Sequence, residues 1–339
     1  MLMAQLTGRA SLRDVESNLS VQAHRLAGVG CVPLARSTLA RLNENKPYTL
    51  YEALFGQLLH RCQSLAPGHG FRFNNKLYSL DASTIDLCLE AFPWARFRKT
   101  KGAVKLHLGL DHQGYLPEYV TITEGKTTDI AVARTLHFPK GSIVVFDRGY
   151  TDYQWYHRLT QQGVFFVSRL KRNACYQVMA RRKVYQKQGL TSDQEIRFSG
   201  VQIAQRCPIR LRRVGYRDPD TGKHYAFITN QFTLSAKTIA DIYKKRWQVE
   251  LFFKWIKQNL KIKSFLGTSK NALMTQIWIA LCAYLLLAWI KFRSCMGCTL
   301  QQIIRLLQLN LFDQRDLIAL LRGDPITASL SHSNRTASC

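Results

Sequence analysis

"YKKRWQVELFFKWIKQNL", residues 243–260, carries one acid, Glu250, among five cations. At about 100° per residue, Tyr243, Arg246, Glu250, Lys254 and Lys257 fall within a stripe roughly 80° wide. Ile242, Val249, Phe252, Phe253, Ile256 and Leu260 occupy the adjacent sector. The spacing predicts a helix, within residues 238–260, that buries one side and presents a carboxylate flanked by Arg, Tyr and Lys on the next. Two readings compete. Glu250 and Lys254 make an i,i+4 pair of the favourable orientation, worth about 0.3–0.5 kcal/mol, and the stripe is then a solvated face. Alternatively, Arg246, Lys254 and Lys257 exceed what one acid can pair. Surplus cations suit phosphates, and a carboxylate among phosphate binders suits a divalent cation.

A divalent ion needs further carboxylates. The best partners are two acids at the ends of apolar stretches, Asp81 in "KLYSLDAST" and Asp147 in "GSIVVFDRGY". A strand that ends in Asp holds its backbone rigidly while the side chain meets solvent. A strand-end Asp is also a common turn or cap residue. Asp86, Asp111, Glu124, Asp129 and Asp152 are rival acids.

Composition points the same way. The 339 residues hold 48 Lys and Arg against 22 Asp and Glu, a formal charge of +26. Such an excess opposes compaction unless a polyanion relieves it, with nucleic acid the first candidate and an acidic membrane surface the second. Nine scattered cysteines fit a reducing compartment better than a disulfide framework. Cys295 and Cys298 make one C-x-x-C without a second pair nearby, which argues against zinc. The N-terminus lacks a signal-peptide core. The apolar run Ile277–Ile290 is 14 residues long, which favours a buried helix over a membrane span. A cytoplasmic protein is expected.

Along the chain, residues 1–75 read as helical, with Ser11 capping one helix and another over Tyr48–Cys62. Helix–turn–helix packing and a plain helical packing domain are both open there. From Lys76 the pattern becomes strand-rich, with a hairpin at "DHQG", a helix over Thr151–Gln162 and a buried strand in "GVFFVSRL". Residues 169–187 carry seven Lys and Arg and no acid, and residues 171–232 read as a β-rich basic insertion. Helices return at 238–260, 271–293 and 300–321, before a polar tail from Pro325 that is expected to fray. The fold class is mixed α/β.

Taken in order, "LDAST", "VVFDRGY" and Tyr243-x2-Arg246-x3-Glu250-x6-Lys257 resemble the DDE transposases of bacterial insertion sequences. The similarity is to the branch with the Tyr-Arg-Glu-Lys signature, the insertion sequence four family, and covers roughly residues 76–300. It implies a ribonuclease-H-like catalytic core over 76–170 and 233–299, interrupted by the β-rich insertion at 171–232. An N-terminal helical DNA-binding domain over 1–75 and C-terminal helices with a tail over 300–339 would flank it. Asp81, Asp147 and Glu250 would bind Mg²⁺, with Mn²⁺ as substitute. Tyr243, Arg246, Lys254 and Lys257 would hold DNA phosphates, joined by Arg169, Lys171 and Arg172 of the basic stretch.

The implied reaction is cleavage of double-stranded transposon ends and joining of the 3′-hydroxyls to target DNA, by two protomers at the bacterial nucleoid and without a membrane. On this reading the cationic neighbours of Glu250 hold DNA rather than Glu250. Two features depart from the family. Thr128-Asp129 stands where His-Asp is frequent, and residues 1–75 are shorter than the usual leading segment, as a truncated domain would be. Trp155, Trp247 and Trp255 are read as core packing, with base stacking the alternative. A catalytically silent DNA-binding protein and a plain ribonuclease-H-like nuclease remain the competing readings.

Overall fold

The computed structural model describes residues 1–28, 30–260, 262, 264–295, 297–313 and 316–324. The tail from Pro325 lies outside the described residues. The first 63 residues form helices α1 (Leu2–Thr7), α2 (Leu12–Val21), α3 (Ala23–Ala27), α4 (Arg36–Asn45) and α5 (Thr49–Gln63). Ser11 caps α2, its side chain accepting from the Asp14 N–H.

A mixed ten-stranded sheet follows. Its first part comprises β1 (Leu77–Leu87), β2 (Arg96–Arg98), β3 (Lys101–Asp111), β4 (Leu116–Glu124), β5 (Ile143–Val145) and β6 (Phe165–Arg169). The strands β1, β3 and β4 pair antiparallel, with β3–β4 the hairpin expected at "DHQG". The pairs β1–β5 and β5–β6 are parallel. The short helix α6 (Asp129–Ala133) and α7 (Tyr153–Gln161) lie in the connections before β5 and β6.

The basic segment supplies β7 (Tyr176–Arg181), β8 (Leu190–Phe198), the helix α8 (Val201–Arg206), β9 (Leu211–Arg217) and β10 (His224–Thr229). These four strands do not form a sheet of their own. Through the antiparallel pair β6–β10 they continue the central sheet in the order β6-β10-β9-β8-β7. The helices α9 (Ala236–Lys245), α10 (Trp247–Asn259), α11 (Lys270–Ser294), α12 (Leu300–Asn310) and α13 (Leu317–Arg322) complete the chain.

Three expectations need correction. Asp81 is inside β1 rather than at its end, because Ala82–Leu87 stays paired with Gly102–His107 of β3. The helix read over 238–260 is broken at Arg246 into α9 and α10, and the one read over 300–321 is divided into α12 and α13.

Packing on the sheet's two faces follows the side-chain alternation of the strands. Tyr78, Leu80, Phe146 and Phe166 pack with Trp155 and Tyr156 of α7. On the opposite face, Leu77, Ile143, Val145 and Val167 pack with Ile239, Ala240 and Ile242 of α9. Further along that face, Ile85, Leu106 and Leu108 join Val249, Phe252, Phe253 and Ile256 of α10. This cluster continues into α11 and takes in Leu6 and Phe55 from the first 63 residues. The helix α11 is long and apolar enough to cross a membrane, but 83% of its most apolar window is buried within the protein.

One buried ion pair ties the insertion to the helices that follow it. Arg212 on β9 donates to both oxygens of Asp193 on β8, at 2.8 and 2.7 Å, and to the carbonyls of Gln231 and Leu234. Those carbonyls belong to the turn that leads into Ser235, the cap of α9. Asp193→Ala would strand a buried guanidinium. It should lower the unfolding free energy by about 3–5 kcal/mol, read as a fall in the urea midpoint. Asp241→Ala, which breaks the partly exposed Lys237–Asp241 pair, should cost no more than about 0.5 kcal/mol.

Candidate active site

The parallel register of β1 and β5 sets Leu77 beside Ile143 and Ser79 beside Val145. Two residues further along each chain, on the same face, come Asp81 and Asp147. Neighbouring strands run about 4.8 Å apart, so the register makes these carboxylates neighbours. The Ala82 N–H donates to Asp81 Oδ1 at 2.8 Å. Asp147 caps the turn that follows β5 and accepts from the Gly149 N–H at 2.8 Å. A Cβ on Gly149 would come within 2.9 Å of Asp147 Oδ1, so a larger residue there would displace that carboxylate.

The third acid comes from α10. Cross-strand from Asp81 is Leu108, and Leu108 packs in the same cluster as Val249 and Phe252. The face of β1 that carries Asp81 is therefore the face α10 covers. Burial pushes the Asp81 carboxyl up to about 6, aided by the charges of Glu250 and Asp147, while the Ala82 N–H and Arg246 pull it back. All three acids thus lie within electrostatic reach of one another.

Glu250 is ion-paired with Arg246, one turn earlier, and not with Lys254. This corrects the expectation that its cationic neighbours leave it free. The Arg246 side chain is only 13% exposed, so partnering a carboxylate there is worth more than at the exposed Lys254. Arg246 also lies over the ring of Tyr243 at 5.7 Å. Lys257 donates to the Thr84 carbonyl at 3.1 Å, further along β1.

Comparison with known proteins adds to this geometry. Residues 73–286 match the family model described as the transposase DDE domain. The chain belongs to the DDE transposase family. It is 30% identical over 298 residues to the y4zB protein of Sinorhizobium fredii, named as a transposase, covering 86% of this chain and 81% of that one. It is also 30% identical over 256 residues to a Geobacillus stearothermophilus protein named as a transposase for the insertion sequence element IS5377, covering 75% and 67%. A solved piggyBac transposase synaptic complex with hairpin DNA gives a TM-score of 0.48 at 13% identity, covering 97% of this chain and 72% of that one. Residues 1–32 match a domain of unknown function (DUF4372).

DDE transposases generally use divalent metal ions, and the residues of this transposase fit one in chemistry. The donors are carboxylate oxygens, the ligands Mg²⁺ and Mn²⁺ prefer. Among the described residues neither Asp81 nor Asp147 forms an ion pair with the protein's own cations, although Asp81 pays a burial penalty for its charge. No three acidic, His or Cys side chains among the described residues are gathered closely enough to hold an ion as they stand, and Glu250 is held by Arg246. Of the rival acids, Asp111 meets Lys76, Asp129 meets Lys105, and Asp152 caps α7 and meets Arg134. Asp86 and Glu124 are exposed.

The three cations singled out around the start of the insertion, Arg169, Lys171 and Arg172, divide into two places. Lys171 and Arg172 line a shallow depression with Asp147, Arg148, Gly149 and Asn173. Arg169 lies over Tyr225 at 5.0 Å and lines a cleft with Phe227, Tyr243, Arg246 and Trp247. Trp155 is buried and Trp255 packs edge-on to Tyr284. Trp247 departs from the packing reading, being 56% exposed. Arg148, Asn173, Tyr225 and Phe227 are site neighbours that sequence reasoning did not single out. The alternation of "HYAFIT" put Tyr225 and Phe227 on one face, but nothing local signalled that the face meets Arg169 and Tyr243. Gly149→Ala should turn the Asp147 carboxylate off its N–H donor and lower metal-dependent DNA nicking about 10–100-fold, with the melting temperature nearly unchanged.

Proposed function

We propose that this DDE transposase cuts the ends of its insertion sequence and joins the 3′-hydroxyl ends to target DNA by metal-dependent phosphoryl transfer. The observation that carries the reading is the β1–β5 register, which brings Asp81 and Asp147 together beneath the helix of Glu250. We read β4-β3-β1-β5-β6 as a ribonuclease-H-like core, supported by three antiparallel strands running on into two parallel ones. Tyr243, Arg246, Glu250 and Lys257 share the α9–α10 stretch, in support of the Tyr-Arg-Glu-Lys branch. Residues 1–75 would recognise DNA, and two protomers would act on two ends at the bacterial nucleoid.

Asp81, Asp147 and Glu250 would hold Mg²⁺, or Mn²⁺ in its place. When bound, the metal makes water or a 3′-hydroxyl nucleophilic and steadies the leaving 3′-oxygen. Arg246 engages one oxygen of Glu250, and an exchange of that partner as Glu250 joins the two aspartates would leave Arg246 to take a DNA phosphate. Tyr243, Lys254 and Lys257 would hold the same strand along the helix. Arg169, Lys171 and Arg172 would hold it beside Asp147, with exposed Trp247 available to stack on a base. Positioning by these groups is the protein's main contribution to the rate. Because Asp81 must be ionised to bind metal, metal affinity should fall as pH drops through about 6.

The test mixes the protein with DNA carrying the ends of its own element and Mg²⁺. Wild type should leave a 3′-hydroxyl nick at the element boundary. Asp81→Asn, Asp147→Asn and Glu250→Gln should each lose at least about 10²-fold in nicking while still binding DNA. Binding without nicking in the wild type would instead support a catalytically silent DNA-binding protein. Nicking at positions unrelated to the element's ends would support a plain nuclease. Six cations are assigned to phosphates, so the slope of log K against log salt should be about −5. Replacing Lys171 and Arg172 by Ala should make it shallower by about 2.

A further inference from the structure

The β2–β3 hairpin carries a cluster of like charges that the protein does not neutralise. Arg96, Arg98, Lys99 and Lys101 lie within six residues and all are exposed. Arg98 pairs directly across the hairpin with Lys101, and Lys99 is in the turn between them. Like charges set opposite each other on paired strands oppose the pairing. Arg98 rests on the ring of Phe97 at 5.1 Å. Among the described residues none of the four forms an ion pair. The nearest acids in sequence, Asp86 and Glu90, are exposed and form none either.

The hairpin is nevertheless fixed in place. The Phe97 ring packs on Gly125, where a Cβ would come within 2.8 Å of it. Gly102 lets the hairpin close on β1, since a Cβ there would come within 3.2 Å of the Leu87 carbonyl oxygen. Trp94, just before β2, donates its Nε1–H to the Thr268 carbonyl at 2.8 Å, which ties the hairpin to the chain that follows α10. Four cations are thus held together on a rigid frame against their own repulsion, an arrangement that a polyanion would relieve.

Register sets the hairpin's place relative to the acids. Gly102 pairs with Leu87, six residues past Asp81 along β1 and so about 20 Å away. Lys257, towards the end of α10, reaches the Thr84 carbonyl halfway along that path. In the sheet order β2-β3-β1-β5-β6, Asp81 is on β1 and Asp147 follows β5. The hairpin therefore flanks the acids on one side, and Arg169 on β6 flanks them on the other. A duplex advances about 3.4 Å per base pair, so 20 Å is about six base pairs. We propose that the β2–β3 hairpin is a further DNA-holding site. It would bind backbone phosphates of a duplex about six base pairs from the reacting phosphate, on the flank opposite Arg169, Lys171 and Arg172. The proposal rests on the reading of the three acids as the place where DNA is seated.

The experiment measures binding of the full chain to duplexes spanning one end of its element, by fluorescence anisotropy over a series of salt concentrations. One duplex extends about 12 base pairs to either side of the element boundary, and two others are cut back to about 3 on the outer or the inner side. On the long duplex the site's six cations and the hairpin's four should together give a slope of log K against log salt of about −9. Replacing Arg96, Arg98, Lys99 and Lys101 by Ala should return it to about −5, the share of the site alone, without lowering the melting temperature. Lys101→Glu sets opposite charges across the hairpin. It should raise the melting temperature and still make the slope shallower by about 2, whereas a merely solvated turn would show the first effect without the second. One of the shortened duplexes should give wild type and the fourfold variant the same slope. If that is the outer one, the hairpin holds DNA flanking the element; if the inner one, it holds the element's own end. An unchanged slope in the fourfold variant on the long duplex, or a difference that survives both shortenings, would overturn the proposal. Wild type that shows the hairpin's share of the slope but does not nick would remove the catalytic reading and leave the hairpin's hold on the duplex standing.

Discussion

The parallel pairing of β1 with β5 is the constraint on which the rest of the site depends. It aligns Leu77 with Ile143 and Ser79 with Val145, and so makes neighbours of two aspartates 66 positions apart in sequence. A slip of one residue would turn one of them to the opposite face, behind the sheet. The register is specified by burial, since Leu77, Ile143 and Val145 are fully enclosed against α9. The same apolar contacts that hold the helix on the sheet therefore hold the carboxylates together.

Neighbouring carboxylates repel, and Asp81 shows the effect in a carboxyl raised to about 6, chiefly by burial. Among the described residues no ion pair to either aspartate relieves this, although the chain carries more than twice as many cations as acids. It relieves it from one side only, with Arg246, which also engages Glu250. Arg246 sits at the break between α9 and α10, where a change of partner need not disturb the packed faces of either helix. On the proposed mechanism, a guanidinium exchanged for a metal and then turned to phosphate would do two jobs with one group.

Much of this was legible in the sequence, and what was not has a common cause. The stripe around Glu250 is a local 3.6-residue pattern, and α10 displays its part from Glu250 to Lys257, with Tyr243 on α9 across the break at Arg246. Asp147 was visible because an apolar run ends there and a glycine follows. The interior position of Asp81 was not, because Ala82–Leu87 looks polar and is kept in β1 only by pairing with β3. The union of the insertion with the central sheet was equally hidden, since β6 and β10 are separated by more than fifty residues. Whether Glu250 would choose Arg246 or Lys254 could not be read from spacing, as both are four residues away. Burial decides it, and burial belongs to the tertiary fold.

On the proposed function, the insertion would let one face serve both metal and DNA. Its strands leave β6 directly after Arg169 and return through the Arg212–Asp193 clasp into the cap of α9. Departure and return are thus fixed on either side of the site. Lys171 and Arg172 are held beside Asp147, and Arg169 beside Tyr243, by the same loop of chain that delivers Glu250. Were the insertion an independent domain on a flexible tether, its cations would find a phosphate anywhere along a duplex. With the insertion built into the sheet, on the proposed function they would hold the phosphates that lie next to the three acids. Electrostatic attraction that is non-specific by nature thereby becomes a means of setting register.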